Sequence, residues 1–230
     1  AAASAVRGGG WGRAWGWGAH GGAGRGGVAI AVGLLYRDDV VAEAGEAATL
    51  DTGAFGNETN RQPLAQSFRL LNNDQVLTLV VNHFKSKGSC PDDGINANQD
   101  DGQSCWNAER TQAAEDQLAW LAGQPTGVAD EDVLVLGDLN AYALEDPVRA
   151  FQDQGFVDLL TRFQRDQAYR YIFDGEPGNL DHAPASPSLA ARGVAAGAGQ
   201  SHADDPQARA SHQDVKTTTT TNDLTGAATP

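Results

Sequence analysis

A carboxylate and a carboxamide leave one apolar run together. Val133 to Leu136 are four aliphatic residues in a row, and Gly137, Asp138, Leu139 and Asn140 follow at once. Asp138 and Asn140 stand two apart, so an extended chain points both to one side. An ionised carboxylate can hold a divalent cation or orient a water. A neutral amide donates to a phosphate oxygen without cancelling the cation's charge, so the pair suits phosphate chemistry. Gly, Asp and Asn are equally the commonest turn residues, and the same letters fit an ordinary strand exit. A second polar pair, Asn82-His83, closes the apolar run Val76 to Val81, and Lys85 and Lys87 then add local positive charge. A third, Asp181-His182, lies in a short segment where the two side chains of a strand would face opposite sides, so only one can join a shared site.

The elements that must hold these groups can be read from the pattern around them. Val133 to Leu136 lacks the period-two alternation of a half-exposed strand, which predicts a strand buried on both faces. Gln66–Leu71 and Gln75–Val81 predict a strand pair turning at Asn72-Asn73-Asp74, with the second strand central. Val28–Arg37 predicts another strand. Asn107 is placed to cap a helix running to about Leu121, with Ala114, Leu118 and Leu121 as its buried stripe. Arg110 falls in that helix's first turn, where the dipole does not favour a cation, which points to another purpose such as an anion contact. Asp146 and Pro147 start a second helix ending near Gly155. Tyr169, Tyr171 and Phe173 alternate as a strand, DGEPGN turns, and Leu180 to Ala183 pairs back.

Composition bounds the rest. The 230 residues are 40% hydrophobic, enough for one sizeable core, while 28 glycines predict that not all of the chain folds. Residues 1–27 are a Gly/Ala/Trp/Arg mixture expected to lack regular structure, residues 28–206 form the domain, and 207–230 read as a disordered tail. A net charge of −14 disfavours binding polyanions by bulk electrostatics, so a nucleic-acid or phosphate ligand would need bound cations or a local basic patch. No apolar run approaches the ~20 residues of a membrane span, and a monomer is expected. Methionine is absent, unlike a complete translated product. Cys90 and Cys105 are the only cysteines and bracket a polar, glycine-rich loop. A bridge there predicts an oxidising, extracellular or periplasmic setting; two reduced thiols are the alternative. The loop's Asp92, Asp93, Asp100 and Asp101 do not have EF-hand spacing and read as solvated.

Four segments carry a resemblance between Val28 and Ser188: NHFKSKGSC, then DDGQSCWNAERTQAAEDQLAWL, GDLNAY followed by EDPV, and YRYIFDGEPGNLDHAPAS. In their order and spacing they resemble the secreted bacterial nuclease branch of the endonuclease/exonuclease/phosphatase superfamily, with its DNase I-like fold. The resemblance implies an α/β four-layer sandwich, two mixed sheets flanked by helices, with the N-terminal part missing or replaced here. It implies metal-dependent phosphodiester hydrolysis, with Mg2+ (or Mn2+ or Ca2+) as cofactor and DNA or RNA as substrate. His83 would contact the scissile phosphate and protonate the leaving oxygen, Asp138 would orient or deprotonate the attacking water, and Asn140 would hold phosphate. Asp181 would bind metal or orient a C-terminal histidine, matched by His202, with Asp204 as a further metal candidate. Asn82, Lys85, Arg110 and Tyr142 are the implied substrate contacts, and His182 reads as structural.

Two departures follow from the same comparison. The family's metal-binding Glu and the Asn before it lie upstream of the VGLLYR strand, where this chain has the Gly/Trp mixture; Glu43 and Glu46 lie too late in the chain. The residues around His202-Ala203-Asp204-Asp205-Pro206 are shortened relative to the family's terminal motif, and both ends read as frame-shifted or truncated. A nuclease core, impaired as it stands, is therefore the expected function. The alternatives are a phosphomonoesterase or phospholipase of the same superfamily, or a non-catalytic acidic metal-binding fragment.

If Cys90 and Cys105 are bridged, the unfolded, unreduced protein titrates no free thiol, and reduction lowers the melting temperature by an amount matching roughly 3 kcal/mol for a loop of about 15 residues. Two titratable thiols would instead place the chain in a reducing compartment.

Overall fold

The computed structural model describes residues 32–57, 59–164 and 179–192, with the backbone of four further short strands. His202, Asp204, Tyr169 and the 207–230 tail lie outside the described residues. In chain order the strands and helices are β1 (Ser4–Val6), β2 (Trp15–Ala19), β3 (Gly33–Arg37), β4 (Val41–Thr49), β5 (Arg61–Leu70), β6 (Val76–His83), α1 (Asn107–Ala122), β7 (Val133–Asp138), α2 (Asp146–Asp153), β8 (Val157–Asp158), α3 (Leu159–Gln164), β9 (Tyr171–Phe173), β10 (Glu176–Gly178), β11 (Asp181–His182), β12 (Pro184–Ala185) and α4 (Pro187–Ala191). β1 and β2 fall within the stretch expected to lack regular structure, and β2 pairs with β3. Cys90 and Cys105 are joined in a disulfide.

The class is α/β, built on a seven-stranded mixed sheet in the order β4-β5-β6-β7-β12-β8, with β11 also pairing with β7. Among the described residues this large sheet is accompanied by the small β1-β2-β3 sheet and the β9-β10 hairpin. β5 and β6 form the expected antiparallel pair, with Arg69 opposite Val76 and Asp74 left-handed in the turn. β7 runs parallel to β6, and α1 makes the crossover that a parallel pair requires.

Alternation along the strands sorts two cores. Ala65, Val80 and Val135 face Ala113, Ala114 and Leu121 of α1 and Val148 and Phe151 of α2. Leu134, with Leu77, Leu79 and Leu136 beside it, faces the other way, toward Leu159, Leu160, Leu189 and Ala190. Both helix starts shift by one residue from expectation. Trp106, left-handed at φ 63°, precedes α1, and Asn107 is its first helical residue, with its Nδ2 donating to Asp146 and its Oδ1 accepting from no helix N–H. Glu145 precedes α2, so Asp146 and Pro147 are both inside it. The last segment is also redirected: β9 pairs with the nearby β10, leaving Asp181-His182 to pair with β7.

Gly137 on β7 lies against the backbone of Asn82 on β6. Its φ is +128°, and a Cβ there would sit 2.2 Å from the Asn82 carbonyl oxygen, a backbone atom that cannot swing aside. We expect Gly137→Ala to cost about 3 kcal/mol or more from strain and clash together, read as a lower urea midpoint; a midpoint equal to the parent's would show that the two strands can separate freely.

Candidate active site

Parity along the strands carries the second core's face outward to the site. His83 continues the row of Leu77 and Leu79 on β6, and Asp138 continues that of Leu134 and Leu136 on β7. Lateral pairing then aligns four side chains. Arg61 on β5 lies opposite His83, His83 opposite Asp138, and Asp138 opposite Asp181 on β11. Residues opposite one another in a sheet share a face, so one row runs from a guanidinium through an imidazole to two carboxylates. Arg61 was not expected from the sequence. Its Nε is buried and has no hydrogen-bond partner, and its charge acts on both His83 and Lys85.

The carboxylates repel each other inside the protein. Burial first, and the facing Asp181 second, push the Asp138 carboxyl up to about 7, against the pull of the Asn140 N–H that donates to its Oδ1 at 2.8 Å. His83 is held below the ordinary imidazole range, by burial first and then by Arg61, with Asp181 pulling the other way. At neutral pH it is an uncharged ring able to donate one N–H. Asn140 is 7% exposed and left-handed, and its Nδ2 donates to the Phe84 carbonyl at 3.0 Å. A carbonyl only accepts, so the amide's orientation is set, and one N–H of the Nδ2 group is left for another acceptor.

None of the four expected substrate contacts stands in this row. Asn82 follows Val80 onto the helix-covered face and is 3% exposed, so it does not share the row with His83; both atoms of its amide are buried without a partner. Arg110 is fully buried, donating to the carbonyls of Cys105, Gln103 and Lys85, which turns the helix-start cation into a brace for the disulfide loop. The Lys85 ammonium donates to the carbonyls of Ser86 and Gly88 and lies over the Trp106 ring, so it too holds the loop. Tyr142 lies under the Lys87 ammonium, which is paired with Glu145. His182, as expected, is turned away from Asp181, with both ring nitrogens in hydrogen bonds.

Among the described residues no three His, Cys, Asp or Glu side chains converge on one point. The facing Asp138 and Asp181 nevertheless fit a hard divalent cation that keeps most of its waters and needs only one or two carboxylates, as magnesium does. The charge repulsion that raises Asp138 is what such a cation would relieve. Calcium, which takes six to eight oxygens, fits this pair less well. Glu43 cannot supply a third ligand: it accepts from the Tyr36 hydroxyl and sits opposite Phe68, itself opposite Leu77. That is six residues along β6 from His83, or about 20 Å.

No family model and no curated protein matches the sequence. Solved structures resemble it in part. The human Nocturnin catalytic domain with bound sulfate anion is 17% identical, covering 67% of this chain and 51% of that one, with a TM-score of 0.48. An endonuclease/exonuclease/phosphatase family protein from Bacteroides thetaiotaomicron is 16% identical, covering 68% and 54%, with a TM-score of 0.47. D. rerio TDP2 complexed with single strand DNA product is 18% identical, covering 67% and 56%, with a TM-score of 0.44. The chain thus spans about half the length of the structures it matches.

The raised Asp138 carboxyl has a signed consequence for stability. The unfolded chain gives up this proton near its ordinary value of 3.8 and the folded chain near 7, so stability from this group is greatest below pH 3.8 and is lost as pH rises to about 7. In chelator, Asp138→Asn should therefore be about 2–4 kcal/mol more stable than the parent at pH 8 and flatter between pH 5 and pH 8. Denaturation curves with the same pH slope for both chains would show that Asp138 titrates normally.

Proposed function

We propose that the folded core hydrolyses phosphodiesters with a divalent cation, as a secreted nuclease acting on DNA or RNA outside the cell or in the periplasm. The observation that carries this reading is the in-register row Arg61, His83, Asp138 and Asp181, cationic at one end and anionic at the other. A phosphodiester in attack needs both. Its nonbridging oxygens gain charge and want donors, and its attacking water must lose a proton.

Arg61 sets its guanidinium charge beside a phosphate oxygen, and His83 next to it offers a neutral ring N–H. The remaining Asn140 N–H is placed on the same loop as Asp138. Asp138, whose Oδ1 accepts from the Asn140 N–H, is the carboxylate that would take the water's proton. Asp138 and Asp181 would hold the cation; when bound, it lowers the charge cost at the phosphate. The disulfide supports the oxidising setting. Arg61 in the row is the local cation that would let an acidic chain meet a polyanion at this one place.

Plasmid nicking across a manganese or magnesium titration tests the reading. We expect Asp138→Asn to lower the rate by ~10² to 10⁴, the usual contribution of a general base, and Arg61→Gln by about 10², that of one lost oxyanion donor. Variants that nick within a few-fold of the parent would remove these residues from the chemistry; a parent that binds manganese but cleaves nothing would make the chain a metal-binding fragment.

A further inference from the structure

Asp158 and His182 form a buried pair that the row of reacting groups does not use. Asp158 is a fixed post. Its Oδ1 accepts from the backbone N–H groups of Ala183 at 3.0 Å and Leu160 at 3.2 Å, and its Oδ2 accepts from the Thr161 hydroxyl at 2.8 Å and lies 2.9 Å from His182 Nδ1. On the other side of the ring, Nε2 lies 2.8 Å from the Ala141 carbonyl oxygen. A carbonyl accepts only, so Nε2 is the donor there. His182 is 2% exposed and Ala141 fully buried, which keeps water from substituting for this bond.

Ala141 directly follows Asn140, whose left-handed φ of 48° is unfavourable for a residue with a side chain and persists where the surroundings over-determine it. The loop is tied on the β6 side, where Phe84 N–H donates to the Asp138 carbonyl and the Asn140 amide to that of Phe84. On the other side Leu139 N–H donates to the Leu180 carbonyl, and His182 takes Ala141. Without His182 the chain beyond Asn140 loses its tie to β11.

We propose that His182 is a positioning residue of the phosphoester site: braced on Asp158, it holds the Ala141 carbonyl and so fixes the left-handed turn that aims Asp138 and Asn140. This rests on the proposed function for its purpose, though not for its geometry. His182 touches no reacting atom and acts through the backbone of the loop.

Amide hydrogen exchange on the full chain, followed by NMR, tests it. In His182→Phe we expect protection at the Leu139 and Asn140 amides to fall at least about tenfold, the equilibrium worth of one net hydrogen bond. The Val80 and Val135 amides of the sheet should stay within twofold of the parent. Should that variant not fold, Asp158→Asn leaves the ring in place but weakens its brace, and should give the same selective loss at about a third of that size. In a cleavage assay the variants should lose kcat with KM kept within twofold. Loop amides as protected as the parent's would overturn the proposal. So would an equal loss at all four amides, which would make the pair a general fold contact. The exchange result decides this whether or not the chain turns over; no cleavage by the unsubstituted chain would count against the phosphoester reading alone.

Discussion

The parallel pairing of β6 with β7 at Asn82 and Gly137 is the contact on which the site depends. Parallel neighbours bring equivalent ends together, so two strands that each end in polar residues deliver them to one place. The register puts His83 beside Asp138, and a one-residue slip would turn one of them onto the helix face. Gly137 permits the approach, since any side chain would meet the Asn82 backbone. α1 then closes the crossover and buries the opposite face, so the sheet cannot twist the two ends apart without disturbing the larger core.

Electrostatics at that end of the sheet run against the bulk charge of the chain. The protein carries −14 overall, yet Arg61, Lys85 and Arg110 act on one another strongly enough to depress the Lys85 ammonium, after burial. The two carboxylates of the row pull the other way and are themselves in conflict. Such opposed charges, partly removed from water, would be a poor way to stabilise a fold. They make sense as a site completed by a ligand. Two of the cations are already committed to the disulfide loop, which leaves Arg61 as the one that stands in the row.

Much of this was legible in the chain because it is written locally. The β5–β6 hairpin, the apolar β7 run, both helices and the cysteine pair follow from period, turn residues and spacing within a few tens of residues. Arg61 was not legible, because its place beside His83 is a matter of register between strands, broken by a bulge before Leu64. The burial of Asn82 and of Arg110 had a readable signal. Asn82 and His83 are consecutive on a strand and must face opposite sides, the same rule that separated Asp181 from His182. Arg110 stands at i, i+4, i+7 and i+11 with Ala114, Gln117 and Leu121, so it belongs to the buried stripe of α1 despite its charge. The pairing of β11 with β7 could not be read, because two residues carry too little pattern to choose a partner.

The excursion between β6 and α1 is stitched at its roots and exposed at its tip. The disulfide, three carbonyls on Arg110 and the two bonds exchanged between Gln103 and Asp146 hold both ends against the domain. Around Asp92 to Ile95 the side chains point into solvent, Ile95 with 76% of its surface exposed. Mutations there can accumulate without moving His83 or Asp138, since the strain they introduce ends at the stitches. The loop is therefore a place where descendants of this chain could acquire new preferences while the row of Arg61, His83, Asp138 and Asp181 is inherited unchanged.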